Sequence, residues 1–224
     1  MKKTVYFFVV FLLLCGACKR EQVRLSGKFE NANKRYLLLN KIEPDGVVFL
    51  DTILLLNGNF SHTFAEETVG LYGLKYDDTT SLFFIAQTAD RLEFSGNARN
   101  FNTTYEVRGS EETQLFLEAI HRLNQFYSKT REWDAISYQE GYEQLLDSLY
   151  NQEFNAHKEY LTQIISQHKG KLISLLVFDQ KIRGNAFFDA QKDRALLQEI
   201  YTALRKNYPK NVYVEYLNER LENQ

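Results

Sequence analysis

The sequence predicts an α+β fold in which strands come first and helices second. Three observations carry this expectation. Between Glu21 and Gly109, apolar residues recur in short runs with the period of two of half-buried strands. At Gly109-Ser110 the period lengthens to that of an amphipathic helix and stays there. Within the first part, Asn57-Gly58 sits between two apolar runs. A two-residue turn needs positive φ at both central positions, which Gly and Asn tolerate best.

The elements follow in order. Val23 to Phe29 alternates, so Val23, Leu25 and Phe29 share a face. Asn31 to Lys34 is a turn cluster, Tyr36 to Ile42 a strand, and Pro44-Asp45-Gly46 a turn. Val47 to Leu56 reads as a long strand and Asn59-Phe60 as the start of its return partner, a hairpin at the centre of the β part. Gly70 to Tyr76, Ser81 to Ile85, Arg91 to Phe94 and Tyr105 to Val107 bring the total to about eight short strands, the pattern of an antiparallel sandwich or barrel. The unbroken run Leu82-Phe83-Phe84-Ile85 indicates a strand buried on both faces or covered by helices.

Ser110 is a good N-cap, with Glu111 and Glu112 in the first turn where the helix dipole favours anions. Phe116, Ala119, Ile120, Leu123 and Tyr127 then recur at helical spacing. A break is expected over Thr130 to Asp134, then a long helix from Ser137 to Gln167 that Gly170 ends. Leu172 to Lys181 reads as a short helix stopped by Gly184-Asn185. Asp189 is expected to cap the next helix, Tyr208-Pro209 to break it, and Val212 to Glu222 to form the last. The expected organisation is a β-sandwich module at 23–109 and a module of four to five helices at 110–224.

Composition bounds the function. With 44% hydrophobic residues in 224, the chain can bury a core. A formal charge of −2 does not fit a nucleic-acid partner. Lys2 and Lys3 precede a ten-residue apolar run, Val5 to Leu14, and small residues follow it. The run is too short for a bilayer span of about 20 residues and has the form of a secretory signal. Cys15-Gly16-Ala17-Cys18 resembles the lipobox of bacterial lipoproteins, though Cys15 stands where Leu, Val or Ala is usual. The resemblance implies a signal peptide at 1–17, a lipidated Cys18 that begins the mature chain, and a short tether at 18–22. Cys18 would then be the only cysteine and would be blocked, leaving no thiol for a disulfide or for redox chemistry.

Residues able to carry chemistry are scattered. His62, His121, His157 and His168 form no metal motif. His157 and His168 share a helical face but lie roughly 16 Å apart along it, so they read as solvated helix histidines. No metal and no cofactor is expected. Glu66-Glu67, Asp77-Asp78 and Glu111-Glu112 read as surface turns and a helix start; a hydrolase would need two carboxylates converging in a pocket. Tyr72, Tyr76, Phe83, Phe84, Phe101 and Tyr105 read as core, with a glycan- or peptide-binding platform as the alternative. Trp133, beside Arg131 and Glu132, is either an exposed anchor for a partner or a plug under its loop.

Several pieces in fixed order resemble a known family. They are Leu25-x-Gly27-x-Phe29, Tyr36-Leu37-Leu38-Leu39, Leu50-Asp51-Thr52, Asn57-Gly58-Asn59-Phe60, Arg91-Leu92-Glu93-Phe94 and Val107-x-Gly109-Ser110. Tyr208-Pro209-Lys210-Asn211-Val212-Tyr213-Val214 completes the series. Together they are similar to the N-terminal module of lipid-anchored, thioredoxin-like disulfide reductases of Gram-negative envelopes. In that family a domain with Trp-Cys-x-x-Cys follows; no such motif follows Val214 here, so the reductase activity is not carried over. Lipoproteins of such envelopes also carry O-glycans at Asp-Ser/Thr sites, which makes Thr52, Thr79 and Ser148 candidates. The expected function is a non-enzymatic binding or scaffold module. It would sit on the periplasmic face of the outer membrane, held by its lipid, with a protein partner such as a thioredoxin-like protein.

Overall fold

The computed structural model describes residues 22–139 and 141–223. The signal segment, Cys18 and most of the tether lie outside these residues. Among the described residues, ten strands and six helices follow one another as β1 Gln22–Glu30, β2 Tyr36–Glu43, β3 Gly46–Leu54, β4 Asn59–Ala65, β5 Gly70–Lys75, β6 Ser81–Ala86, β7 Arg91–Asn97, α1 Phe101–Thr104, β8 Glu106–Arg108, α2 Glu111–Asp134, α3 Glu143–His168, α4 Leu172–Phe178, β9 Lys181–Ile182, β10 Asn185–Ala186, α5 Arg194–Asn207 and α6 Val212–Glu222. The fold is α+β. No described helix is long and apolar enough to cross a membrane.

Two four-stranded sheets face each other, ordered β4-β1-β7-β8 and β3-β2-β5-β6. The alternation read in the sequence selects their inner faces. Val23, Leu25 and Phe29 of β1 and Leu92 and Phe94 of β7 meet Leu37, Leu39, Leu74, Leu82 and Phe84 in one core. Phe29, Phe60, Phe84, Phe94 and Phe101 form a chain of tilted and edge-on ring contacts through it. The sandwich is not wholly antiparallel. β6 ends at the turn Gln87–Asp90 and the chain crosses to the other sheet, where β7 enters beside β1 in the same direction.

The Asn57-Gly58 turn forms, with φ of 53° and 79°. The expected hairpin does not. Only Leu56 and Asn59 bridge across the turn; β3 pairs with β2 and β4 with β1, in different sheets. The turn is therefore a corner between sheets. Its Gly58 carbonyl accepts the Phe29 amide at 2.8 Å, which fastens the corner to β1. Packing sets this outcome, since Ile53, Leu55 and Phe60 on either side of the turn are all buried between the sheets.

A second core lies between the outer face of β5–β6 and the helices. Val69, Leu71 and Ile85 pack there with Phe116, Leu161, Ile173, Leu197 and Leu217. β5 and β6 are thus covered on both sides, as the run Leu82 to Ile85 implies. Ser110 caps α2 by accepting the Thr113 amide at 3.2 Å. Four boundaries differ from the sequence reading. α2 runs unbroken to Asp134, so Trp133 lies in its last turn. α3 starts only at Glu143. Arg183-Gly184, with φ of 52° and 86°, is the turn of the small hairpin β9–β10 and not a helix stop. Asp189 caps the loop before α5 by accepting the Gln191 and Lys192 amides, while Asp193 stands at the N-cap.

Candidate functional site

Three places bring chemistry-bearing residues together. The first is one end of the sandwich. The Tyr72 hydroxyl donates to Glu66, and Lys41 lies 3.2 Å from Glu66 and 3.4 Å from Glu43. Burial is the largest cause of the strong rise in the Tyr72 pKa, and the Glu66 carboxylate adds to it. Glu66, read as a surface turn, is instead 11% exposed at its side chain, because Lys41 and Tyr72 close over it. This arrangement is a lock in which one cation is shared by two carboxylates.

The second place is a cleft of about 200 Å³ between the sandwich and the helices, lined by Gln87, Asp90, Glu112, Lys171 and Tyr208 among others. Glu112 lies in the helix start that the sequence indicates and is buried there, because α2 docks its first turn against α4. There its Oε2 accepts the Ile173 amide at 3.1 Å. Burial raises the pKa of Glu112, against the pull of that hydrogen bond, and burial likewise raises that of Asp90. Two carboxylates with increased proton affinity facing one cleft would suit proton transfer. The cleft is nonetheless smaller than the roughly 300 Å³ at which ligand pockets begin. Lys171 is bonded to Glu111, and Tyr208 donates to Gln87 at 3.3 Å. These groups join the two halves of the molecule. Nothing in the sequence spacing links Asp90 to Glu112; only the docking of α2 on β6 does.

The third place is β3, which lies at the edge of its sheet. Val47, Val48, Phe49, Leu50 and Leu54 are 66, 44, 59, 38 and 67% exposed, and Tyr36 on the adjacent β2 is 51% exposed. Val47 pairs with Ile42 and Phe49 with Asn40, on the face that the helices cover further along; Val48 pairs with Lys41 on the opposite face. The strand is thus apolar on both faces and, among the described residues, open along one side. A bulge where Leu39 and Asn40 meet Asp51 and Phe49 leaves Leu50 without a partner residue on β2. The sequence run Val47 to Leu50 looks like core, and no local signal separates an exposed apolar edge from a buried strand.

The remaining candidates are dispersed. Cys18 lies outside the described residues. Thr52 is exposed on β3, where its amide donates to Asp51 at 2.7 Å. Thr79 is exposed in a loop and bonds Asp77 through both its amide and hydroxyl, and Ser148 is exposed on α3. Trp133 is half-buried, its ring 6.4 Å from that of Phe126, so it fills space between helices. Tyr72, Tyr76, Phe84 and Phe101 are core, and Phe83 and Tyr105 half-buried, so these residues do not form an exposed platform. His157 is not a solvated helix histidine. It is 6% exposed, in a tilted ring contact with Phe187 at 4.6 Å and bonded to Gln180 at 3.1 Å, because the hairpin β9–β10 folds over α3. Among the described residues, no three His, Cys, Asp or Glu side chains are placed to hold a metal ion.

Comparison with curated proteins returns no match. Residues 23–116, from β1 into the second turn of α2, match the family model described as a domain of unknown function (DUF4369).

Proposed function

We propose that this chain is a non-enzymatic lipoprotein that binds or scaffolds a protein partner from the periplasmic face of the outer membrane. A thioredoxin-like protein of the same envelope is one candidate partner. The observation that carries this reading is β3, a nine-residue strand whose outer edge pairs with none of the described residues and whose apolar side chains are exposed on both faces. Proteins use such edges to add a strand from a partner. The lipobox-like Cys15 to Cys18 supports the membrane tether, since it places the lipid four residues before Gln22, where β1 begins. Those four residues span at most about 14 Å, so the sandwich would sit close to the bilayer.

One experiment tests both parts. Cells are fractionated and the intact envelope is treated with a short crosslinker. The wild-type chain is expected in the membrane fraction with an acylated mass, and Cys18→Ala in the soluble fraction. Crosslinked adducts are expected for wild type and lost in Phe49→Lys. A Cys18→Ala chain that stays membrane-bound with unchanged mass would remove the lipid tether. A chain that forms no adduct dependent on β3 would remove the binding role.

A further inference from the structure

The alternation that buries Val23, Leu25 and Leu92 turns Arg24, Arg91 and Glu93 to the outer face of the β4-β1-β7-β8 sheet. A groove of about 490 Å³ runs over β4, β1 and β7 on that face, and all three charged residues line it. β1 and β7 are parallel, and their register sets Arg24 directly beside Arg91. The Arg24 amide holds this register by donating to the Asp90 carbonyl at 2.8 Å. Among the described residues, neither guanidinium is in an ion pair, and nor is the carboxylate of Glu93.

Like charges directly opposed on neighbouring strands, about 4.8 Å apart, are destabilising. An anion held between them removes that repulsion, and the planar guanidinium fork matches phosphate. The hydroxyls of Ser61 and Thr63 on β4 line the same groove as further donors. Glu93 lies two residues beyond Arg91 on the same face, roughly 7 Å along the strand, and asks for a cation beside the phosphate. The entry of the chain narrows the source of such a ligand. Gln22, where β1 begins, lines the groove, and Cys18 stands four residues before it. A lipid on Cys18 would hold the groove among the headgroups of the bilayer, and Lys19, Arg20 and Glu21 between them add a net positive charge.

We propose that this groove seats the phosphoethanolamine headgroup of a membrane lipid and so lays the outer face of the sheet on the bilayer; this rests on the reading of Cys18 as the lipid anchor. The phosphate sits between Arg24 and Arg91, and the ammonium faces Glu93. The charges of the groove, two positive and then one negative, complement a phosphate followed by an ammonium. β3 belongs to the other sheet, so this orientation leaves its edge available to a partner.

The test uses the acylated chain purified from the envelope, in which Cys18 is blocked and an added cysteine is the sole free thiol. Ser61→Cys reports on the groove, and Ser148→Cys, exposed on α3, serves as the control. Each is treated with a water-soluble maleimide in a phosphate-free detergent, in phosphatidylcholine vesicles, and in vesicles with an equal part of phosphatidylethanolamine. Ser61→Cys should react about tenfold more slowly in the ethanolamine vesicles than in detergent, a change that bidentate phosphate contacts supply. Ser148→Cys should react equally in all three. Adding Arg24→Gln and Arg91→Gln should restore the detergent rate with an unchanged circular dichroism spectrum, and Glu93→Gln should abolish the preference for ethanolamine over choline. Protection that survives loss of both arginines, or a Ser61→Cys rate equal in detergent and ethanolamine vesicles, overturns the proposal and leaves the lipid anchor standing. Equal protection in phosphatidylcholine alone, or by millimolar inorganic phosphate in detergent, overturns the phosphoethanolamine assignment. A purified chain without the acyl mass overturns the anchor reading and the docking with it.

Discussion

The side-chain amide of Asn211 donates to the Val69 carbonyl at 2.6 Å, joining the cap of the last helix to the residue that leads into β5 of the β5–β6 hairpin. The same amide reaches the Thr68 hydroxyl at 3.0 Å, and its oxygen accepts the Tyr213 amide at 2.9 Å. Two further bonds come from the same short segment. Tyr213 donates to the Ile42 carbonyl, and Tyr208 to Gln87. The Tyr208 to Val214 segment, read in the sequence as a helix break and a resemblance, is the clamp that holds helices to sheet.

Asn211→Ala should therefore cost more than an ordinary cap. Loss of an N-cap removes about 1 kcal/mol, and a buried carbonyl left without a donor adds about 1–3 kcal/mol. Asn211 is 2% exposed, so water does not replace the amide. Chemical denaturation should show a lower midpoint with an unchanged slope. A loss below about 0.5 kcal/mol would mean that the clamp is not under load.

The contrast between the two edges of the β3-β2-β5-β6 sheet shows what was legible and what was not. Strand positions, the Ser110 cap, the Asn57-Gly58 turn and the double burial of β6 are local signals, and all can be read from the residues. Which strand pairs with which is a non-local outcome. Val47 to Leu50 and Leu82 to Ile85 are both apolar runs, yet the first is open and the second lies under α2. The burial of His157 and Glu112 is illegible for the same reason, since their neighbours, Gln180 and Ile173, come from positions distant in sequence. The binding surface is hidden in the sequence because exposure of an apolar strand depends on what fails to cover it.

Thr113 tests the closed edge. Its hydroxyl acts as a neighbouring strand would for Ile85, giving one bond and accepting another in a buried setting. Thr113→Val keeps the shape but strands both backbone groups, at about 1–3 kcal/mol for each buried unsatisfied group. Thr113→Ser retains both bonds and should recover most of that loss. Slowed hydrogen exchange at the Ile85 amide, present in wild type and Ser but lost in Val, is the matching readout. Equal exchange in all three variants would show that another group protects this edge.

Gly109, where the β part ends, and Gly46, where β3 begins, form an informative contrast. At Gly109, φ is 96° and an added Cβ would lie 1.9 Å from the Arg91 carbonyl oxygen. At Gly46 a Cβ meets nothing within 4 Å and φ is ordinary. Gly109→Ala should lose at least 1–2 kcal/mol from the left-handed backbone alone, with the clash adding to it. Gly46→Ala should be neutral or stabilise by about 0.4–1 kcal/mol through the unfolded chain. Thermal unfolding of the two variants side by side reads the difference, and similar melting temperatures would sink the argument.

Acid stability separates two buried groups of opposite sign. Burial holds the His157 pKa below its ordinary value of 6.5; nearby Arg122 lowers it further, and the Gln180 bond raises it in part. The unfolded chain then binds more protons at this site than the folded one just below pH 6.5. Stability from His157 is thus fully present above about pH 6.5 and is lost as pH falls from there toward the folded value. Glu112 works the other way. Its folded pKa is raised above 4.5, so its contribution is greatest below about pH 4.5 and is lost as pH rises through the folded value. Above its folded pKa the buried, charged Glu112 is a liability that a neutral group of the same shape would not be. Glu112→Gln keeps an acceptor for the Ile173 amide, so it should hold or raise stability at pH 7 and lower it relative to wild type near pH 4. His157→Gln should flatten the decline below pH 6.5. Unfolding free energies measured from pH 4 to pH 8 distinguish these slopes. A His157→Gln profile parallel to wild type would show that the imidazole does not titrate against the fold.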